Sequence, residues 1–95
     1  MSDSFSDLYK TIESRKISKN KNSYTRTLFK EGEKKIAQKF GEESAELIID
    51  FLKGSKKRTT EEAIDVIYHL FILLSAKKIK FNELEKEILK RKNVR

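Results

Sequence analysis

Four carboxylates fall within nine positions in "EESAELIID", Glu42 to Asp50, of a 95-residue chain whose formal net charge is +7. At about 100° per residue around a helix, Glu42, Glu46, Asp50 and Glu43 share one arc of roughly 100°. Apolar residues flank that arc, with Ile36, Phe40, Leu47 and Phe51 on one side and Ala45, Ile49 and Leu52 on the other. A solvated helix face is usually laced with opposite charges four residues apart, whereas Glu42–Glu46 and Glu46–Asp50 are like-charge pairs, each costing about 0.2–0.5 kcal/mol. Such crowding is tolerated where a cation sits among the acids, and Mg²⁺ or Mn²⁺ is the simplest partner for an all-oxygen donor set. The spacing recurs nineteen residues later in "EEAIDVIYH", where Glu61, Glu62, Asp65 and His69 stand in the register of Glu42, Glu43, Glu46 and Asp50. Two acidic stripes joined by a short connection at Gly54 to Thr60 predict an antiparallel helix pair with a carboxylate cage between them.

The elements that must position these acids follow from the breaks in the chain. There is no proline and there are three glycines, which favours long helices with short loops. Ser2 or Ser4 is expected to cap a first helix running to about Lys16, with Phe5, Leu8, Tyr9 and Ile12 as its apolar stripe. After the polar stretch "ISKNKNS", Ser23 or Thr25 starts a second segment, broken near Gly32, whose periodicity then continues to a C-cap at Gly54. "GSKKRTT" reads as a cationic turn, with Thr59 or Thr60 capping the next helix and Glu61 or Glu62 available for a capping box. That helix, "AIDVIYHLFILLSAKK", is apolar on nearly every side and is expected to be buried centrally. A last amphipathic helix begins near Phe81 or Asn82 and leads into the basic tail "KRKNVR". Nothing reads as a strand pair, so the expectation is one all-α domain spanning residues 1–95, with four to five helices around a central antiparallel pair.

Bulk composition narrows the chemistry. A chain of 11.2 kDa builds only a modest core, and self-association is the expected way to extend it. No apolar run approaches the roughly 20 residues of a membrane span, and the N-terminus carries acids where a secretory signal would be basic and then apolar, which points to a cytoplasmic protein. The absence of cysteine and the single histidine exclude disulfides, thiolate chemistry and multi-histidine metal sites. The cationic excess calls for an anionic partner. A nucleic-acid module would gather its cations on one face, but Lys34–Lys35, Lys56–Arg58 and Lys90–Lys92 are dispersed, and that reading leaves the acid stripes without a role.

Written together as E-E-x-x-E, a gap of fifteen residues, then E-x-x-D, the two motifs resemble the signature of the MazG-like all-α nucleoside-triphosphate pyrophosphatases. Within that superfamily, "SYTRTLFKEG", "KIAQKFGEESAE" and "EEAIDVIYHLFILL" in this order resemble the phosphoribosyl-ATP pyrophosphatase family over nearly the whole chain. The resemblance implies a helical homodimer that hydrolyses N1-(5-phosphoribosyl)-ATP to the AMP derivative and pyrophosphate, the second step of histidine biosynthesis, with Mg²⁺. It further implies the free-standing form, without the cyclohydrolase fused to the domain in some relatives. Glu43, Glu46, Glu62 and Asp65 are then the expected Mg²⁺ ligands, and Glu42 is a further ligand or the group that orients or deprotonates the attacking water. Lys35 and Lys39 are placed to flank the triphosphate, with Arg26 and Lys30 extending toward the second phosphate. Tyr24 either stacks on a base or packs against a neighbouring helix. His69 is a hydrogen-bonded core residue on the plain reading and a support for one of the acids on the functional one. The rival within the superfamily is a house-cleaning hydrolase of ordinary nucleoside triphosphates.

Overall fold

The structure, a computed structural model, describes residues 3–20 and 22–92 and contains five helices: α1 (Ser4–Lys16), α2 (Tyr24–Glu31), α3 (Glu33–Lys53), α4 (Lys56–Ala76) and α5 (Phe81–Lys92). There is no strand among the described residues, and the fold is all-α as expected. Helices α3 and α4 form an antiparallel hairpin, because Asp50 meets Thr59 near the turn while Ile36 meets Leu73 at the far end. Helices α1 and α2 pack across one side of it.

Local chemistry explains most boundaries. The Ser23 hydroxyl accepts from the Arg26 N–H and starts α2, as the sequence suggests. Gly32 separates α2 from α3 at φ +99 and ψ 179, a conformation essentially restricted to glycine, so the break falls there and nowhere else in the segment. Two expected caps are corrected. Helix α1 is capped by the Asp3 carboxylate, which accepts from Ser6 N–H at 3.0 Å; Ser4 is already its first residue, and Ser2 lies outside the described residues. Helix α4 begins at Lys56, capped by the Ser55 hydroxyl on Arg58 N–H, so the turn is only Gly54 and Ser55. Thr59 and Thr60 sit inside the helix and donate their hydroxyls back to the carbonyls of Ser55 and Lys56, each at 2.8 Å.

The core is small: Tyr9 and Ile12 of α1, Leu28 of α2, Ile36 of α3, and Phe71 and Ile72 of α4. Phe71 meets the rings of Tyr9 and Phe81 edge-on at 5.3 and 6.0 Å, which anchors α1 and the start of α5 to the C-terminal half of α4. The Tyr9 hydroxyl donates to the Ile79 carbonyl, and Lys16 donates to the Ser75 carbonyl at 2.9 Å. Burial of α4 is therefore confined largely to its second half. Ile64 is exposed, and Ile48, Ile49, Phe51 and Leu52 of α3 lie 57–74% exposed, so the apolar surface near the hairpin turn faces outward.

Candidate active site

The hairpin brings the two acid motifs together. Carboxylate oxygens of Glu43 on α3 and of Glu62 and Asp65 on α4 lie within 4.8 Å of one another. Glu43 is half-buried and Asp65 exposed, but Glu62 is only 3% exposed, and its Oε2 has no hydrogen-bond partner. That burial is costly for a charged group. Hydrogen bonding to Glu43, then burial, then hydrogen bonding to Glu46 push the Glu62 carboxyl up to about 8. In its protonated form Glu62 has one proton to share with one of those neighbours; ionised, it has an oxygen facing carboxylates with nothing to balance it. A hard divalent cation fits these residues, since it supplies the missing positive charge and needs only oxygen ligands.

Glu46 is exposed and reaches Glu62, but it is not one of the three converging acids. Glu42 lies further from them. Its carboxylate accepts from the Gln38 amide at 2.9 Å and pairs with the Lys39 ammonium at 3.4 Å, and these bonds hold it below the usual carboxylate range. Asp50, fourth acid of the first stripe, sits at the turn end, where Arg58 bridges it at 3.7 Å and Glu61 at 3.3 Å. Arg58 thus staples the hairpin just beyond the cluster.

Beside the acids lies a cavity of about 310 Å³ lined by Tyr24, Thr27, Leu28, Glu31, Lys35, Gln38, Lys39 and Glu42. Lys35 and Lys39 occupy successive turns of α3 on this wall, and their ammonium groups suit an anionic ligand. Arg26 and Lys30 do not line it. Gln38 and Thr27 are lining residues that reading the sequence for charge passes over, and Glu31 is an acid outside both stripes; Gln38 stands one turn before Glu42, which is the signal that finds it.

His69 joins the cavity to the acids. It is buried, its Nδ1 lies 2.7 Å from the Asp65 carbonyl oxygen, and its Nε2 lies 2.8 Å from the Tyr24 hydroxyl. His69 is thus the hydrogen-bonded core residue of the plain reading, and its ring bonds the backbone carbonyl of Asp65 rather than a carboxylate. Tyr24 packs edge-on to the imidazole, with ring centroids 5.7 Å apart, but remains half exposed. Next to it, Thr25 is buried and bonded through its hydroxyl to that of Tyr68, which fixes the first turn of α2 on α4.

The arrangement offers a set of acids that suits a cation and a cationic wall beside it, the charge neutralisation that cleavage of a phosphoanhydride draws on, with the Tyr24 hydroxyl at the cavity's edge. Comparison with known proteins agrees with that chemistry. The chain is 45% identical over 91 residues to the phosphoribosyl-ATP pyrophosphatases of Bacillus cereus strains B4264 and G9842, covering 96% of this chain and 85% of theirs. It is 41% identical over 88 residues to the histidine biosynthesis bifunctional protein HisIE of Staphylococcus aureus strain N315, covering 93% of this chain and 42% of that protein. Residues 5–92 match the phosphoribosyl-ATP pyrophosphohydrolase family, and the chain belongs to that family.

Proposed function

We propose that Glu43, Glu62 and Asp65, with Glu46 beside them, hold Mg²⁺ and that this centre carries out the family's reaction, hydrolysis of phosphoribosyl-ATP to phosphoribosyl-AMP and pyrophosphate in histidine biosynthesis. The observation that carries the assignment is the buried, unpartnered Glu62 carboxylate facing two further acids. When bound, the cation supplies charge neutralisation on the departing pyrophosphate. The chain's own groups do the rest. Lys35 and Lys39 bind the polyphosphate from one wall of the cavity, and Tyr24, backed by His69, borders it. Glu42, already ionised and held by Gln38 and Lys39, orients the attacking water and takes up its proton. Arg26 and Lys30, outside the cavity wall, reach the substrate's second phosphate only once the nucleotide is bound.

The exposed apolar patch at Ile48, Ile49, Phe51, Leu52 and Ile64 supports a homodimer as the working form. No helix of the described residues is long and apolar enough to cross a membrane. An enzyme of nucleotide-derived amino-acid synthesis works where its substrate is made, and the cytoplasm is the expected compartment.

Pyrophosphate release from enzymatically prepared phosphoribosyl-ATP tests the assignment. Release is expected with Mg²⁺ and not after chelation, and Glu62→Gln and Glu46→Ala are each expected to lower kcat by about 10²-fold or more, the scale on which charge stabilisation operates in such sites. Full activity of Glu62→Gln would remove the metal assignment. Equal turnover of ordinary nucleoside triphosphates would move the chain to the house-cleaning reading.

A further inference from the structure

The tautomer of His69 can be read from its partners. A carbonyl oxygen only accepts, so Nδ1, 2.7 Å from the Asp65 carbonyl, carries the ring proton. In the neutral imidazole Nε2 is then an acceptor, and the Tyr24 hydroxyl 2.8 Å away must donate to it. With its one proton committed inward, the phenolic oxygen has only lone pairs left for the cavity. The same cavity has Lys35 and Lys39 on its α3 wall, so it presents donors on one side and a fixed acceptor on the other.

We propose that Tyr24 is a specificity-determining residue whose phenolic oxygen accepts a hydrogen bond from a hydroxyl or amino group of the substrate's nucleoside portion, and that His69 is the positioning residue that fixes it as an acceptor. An ionised polyphosphate has no proton to offer and is turned away from this oxygen toward the lysines. The nucleoside portion is the part of the substrate that does carry such protons. The inference rests on the cavity beside the acid cluster being the substrate site. It assigns Tyr24 a role in orienting the nucleotide rather than in the cleavage step.

The test uses the full chain at pH 8 and fixed free Mg²⁺, and compares two inhibitors of pyrophosphate release. Phosphoribosyl-AMP carries hydroxyl and amino donors; inorganic tripolyphosphate carries none. Tyr24→Phe keeps the ring and removes the oxygen, and is expected to weaken inhibition by phosphoribosyl-AMP about 10-fold, as loss of one hydrogen bond does, with tripolyphosphate nearly unchanged. His69→Leu should reproduce that loss, and His69→Gln, whose amide oxygen can accept the phenol's proton, should restore most of it. Equal weakening of both inhibitors, or unchanged inhibition by phosphoribosyl-AMP, overturns the proposal. Binding of Mn²⁺, followed by its electron-spin resonance, is expected to be the same in Tyr24→Phe and wild type. Failure of the acid-centre reading would show separately, as Mn²⁺ binding and turnover unaffected in Glu62→Gln.

Discussion

Glu62 carries the clearest consequence of any single residue. Its carboxyl titrates near 8 in the folded protein and near 4.5 when unfolded, so the folded state holds the proton more tightly. Without metal, stability is therefore highest at low pH, falls as pH rises between those values, and the loss is complete above the folded value. Thermal denaturation of chelator-treated protein should show the midpoint dropping by several degrees or more from pH 5.5 to 8.5, since about 1 kcal/mol shifts a domain of this size by roughly 4–8 °C. Glu62→Gln should flatten that dependence, and Mg²⁺ should raise the midpoint of the wild type most at the alkaline end. Helical spacing alone places Glu43 with Glu46 on one face of α3 and Glu62 with Asp65 on one face of α4, because three-residue intervals share a face. The separation of Glu42 from them is not legible that way. An arc of roughly 100° is wide enough to hold residues facing α4 and residues facing α2, and only Gln38 and Lys39, bonded to Glu42, decide the matter.

At the level of the elements, Gly32 and Gly54 marked the breaks, Ser23 and Ser55 start α2 and α4 while the Asp3 carboxylate starts α1, and where several caps competed, tertiary geometry chose. Ser55, Thr59 and Thr60 can each begin a helix. Ser55 wins because Gly54 lies so close to α3 that a β-carbon there would sit 2.8 Å from the Asp50 carbonyl oxygen, which pins the turn at that point. Thr59 then serves the hairpin differently, donating to the Asp50 carbonyl at 3.0 Å. The other glycine junction lends itself to experiment. A β-carbon at Gly32 meets nothing within 4 Å, so the cost of Gly32→Ala is conformational alone, about 1–3 kcal/mol for a backbone region that side chains avoid. Urea denaturation should show that loss. Because the junction sets Tyr24 on α2 against Lys35 and Lys39 on α3, KM for phosphoribosyl-ATP should rise as well. A stability loss with unchanged KM would mean that the angle between the two helices does not matter to binding.

For the whole molecule, the sequence conveyed which helices are amphipathic but not what covers them. The periodicity through Ile36, Leu47, Ile48 and Phe51 is real, yet Ile36 is the one buried residue of α3, whose packing partners are α4 and the short α2. A second copy over Ile48, Phe51, Leu52 and Ile64 would bury what this chain leaves open. Light scattering should give about twice 11.2 kDa for the wild type. Phe51→Glu should shift the mass toward a single chain and lower the thermal midpoint, because dimer dissociation removes a stabilising ligand by mass action. A wild type that remains a single chain at high concentration would leave the patch without this partner. The hairpin has a symmetry of its own. Glu43 and Glu46 recur nineteen residues on as Glu62 and Asp65, and two antiparallel helices are related by a twofold axis that passes between them, through the middle of the acids. Half a turn exchanges half-buried Glu43 with buried Glu62 and carries Asp65 onto Glu46, which stands outside the three converging acids, so the two sides of the centre differ. Helices α1 and α2 widen that difference, and α2 brings Tyr24 against His69 of α4.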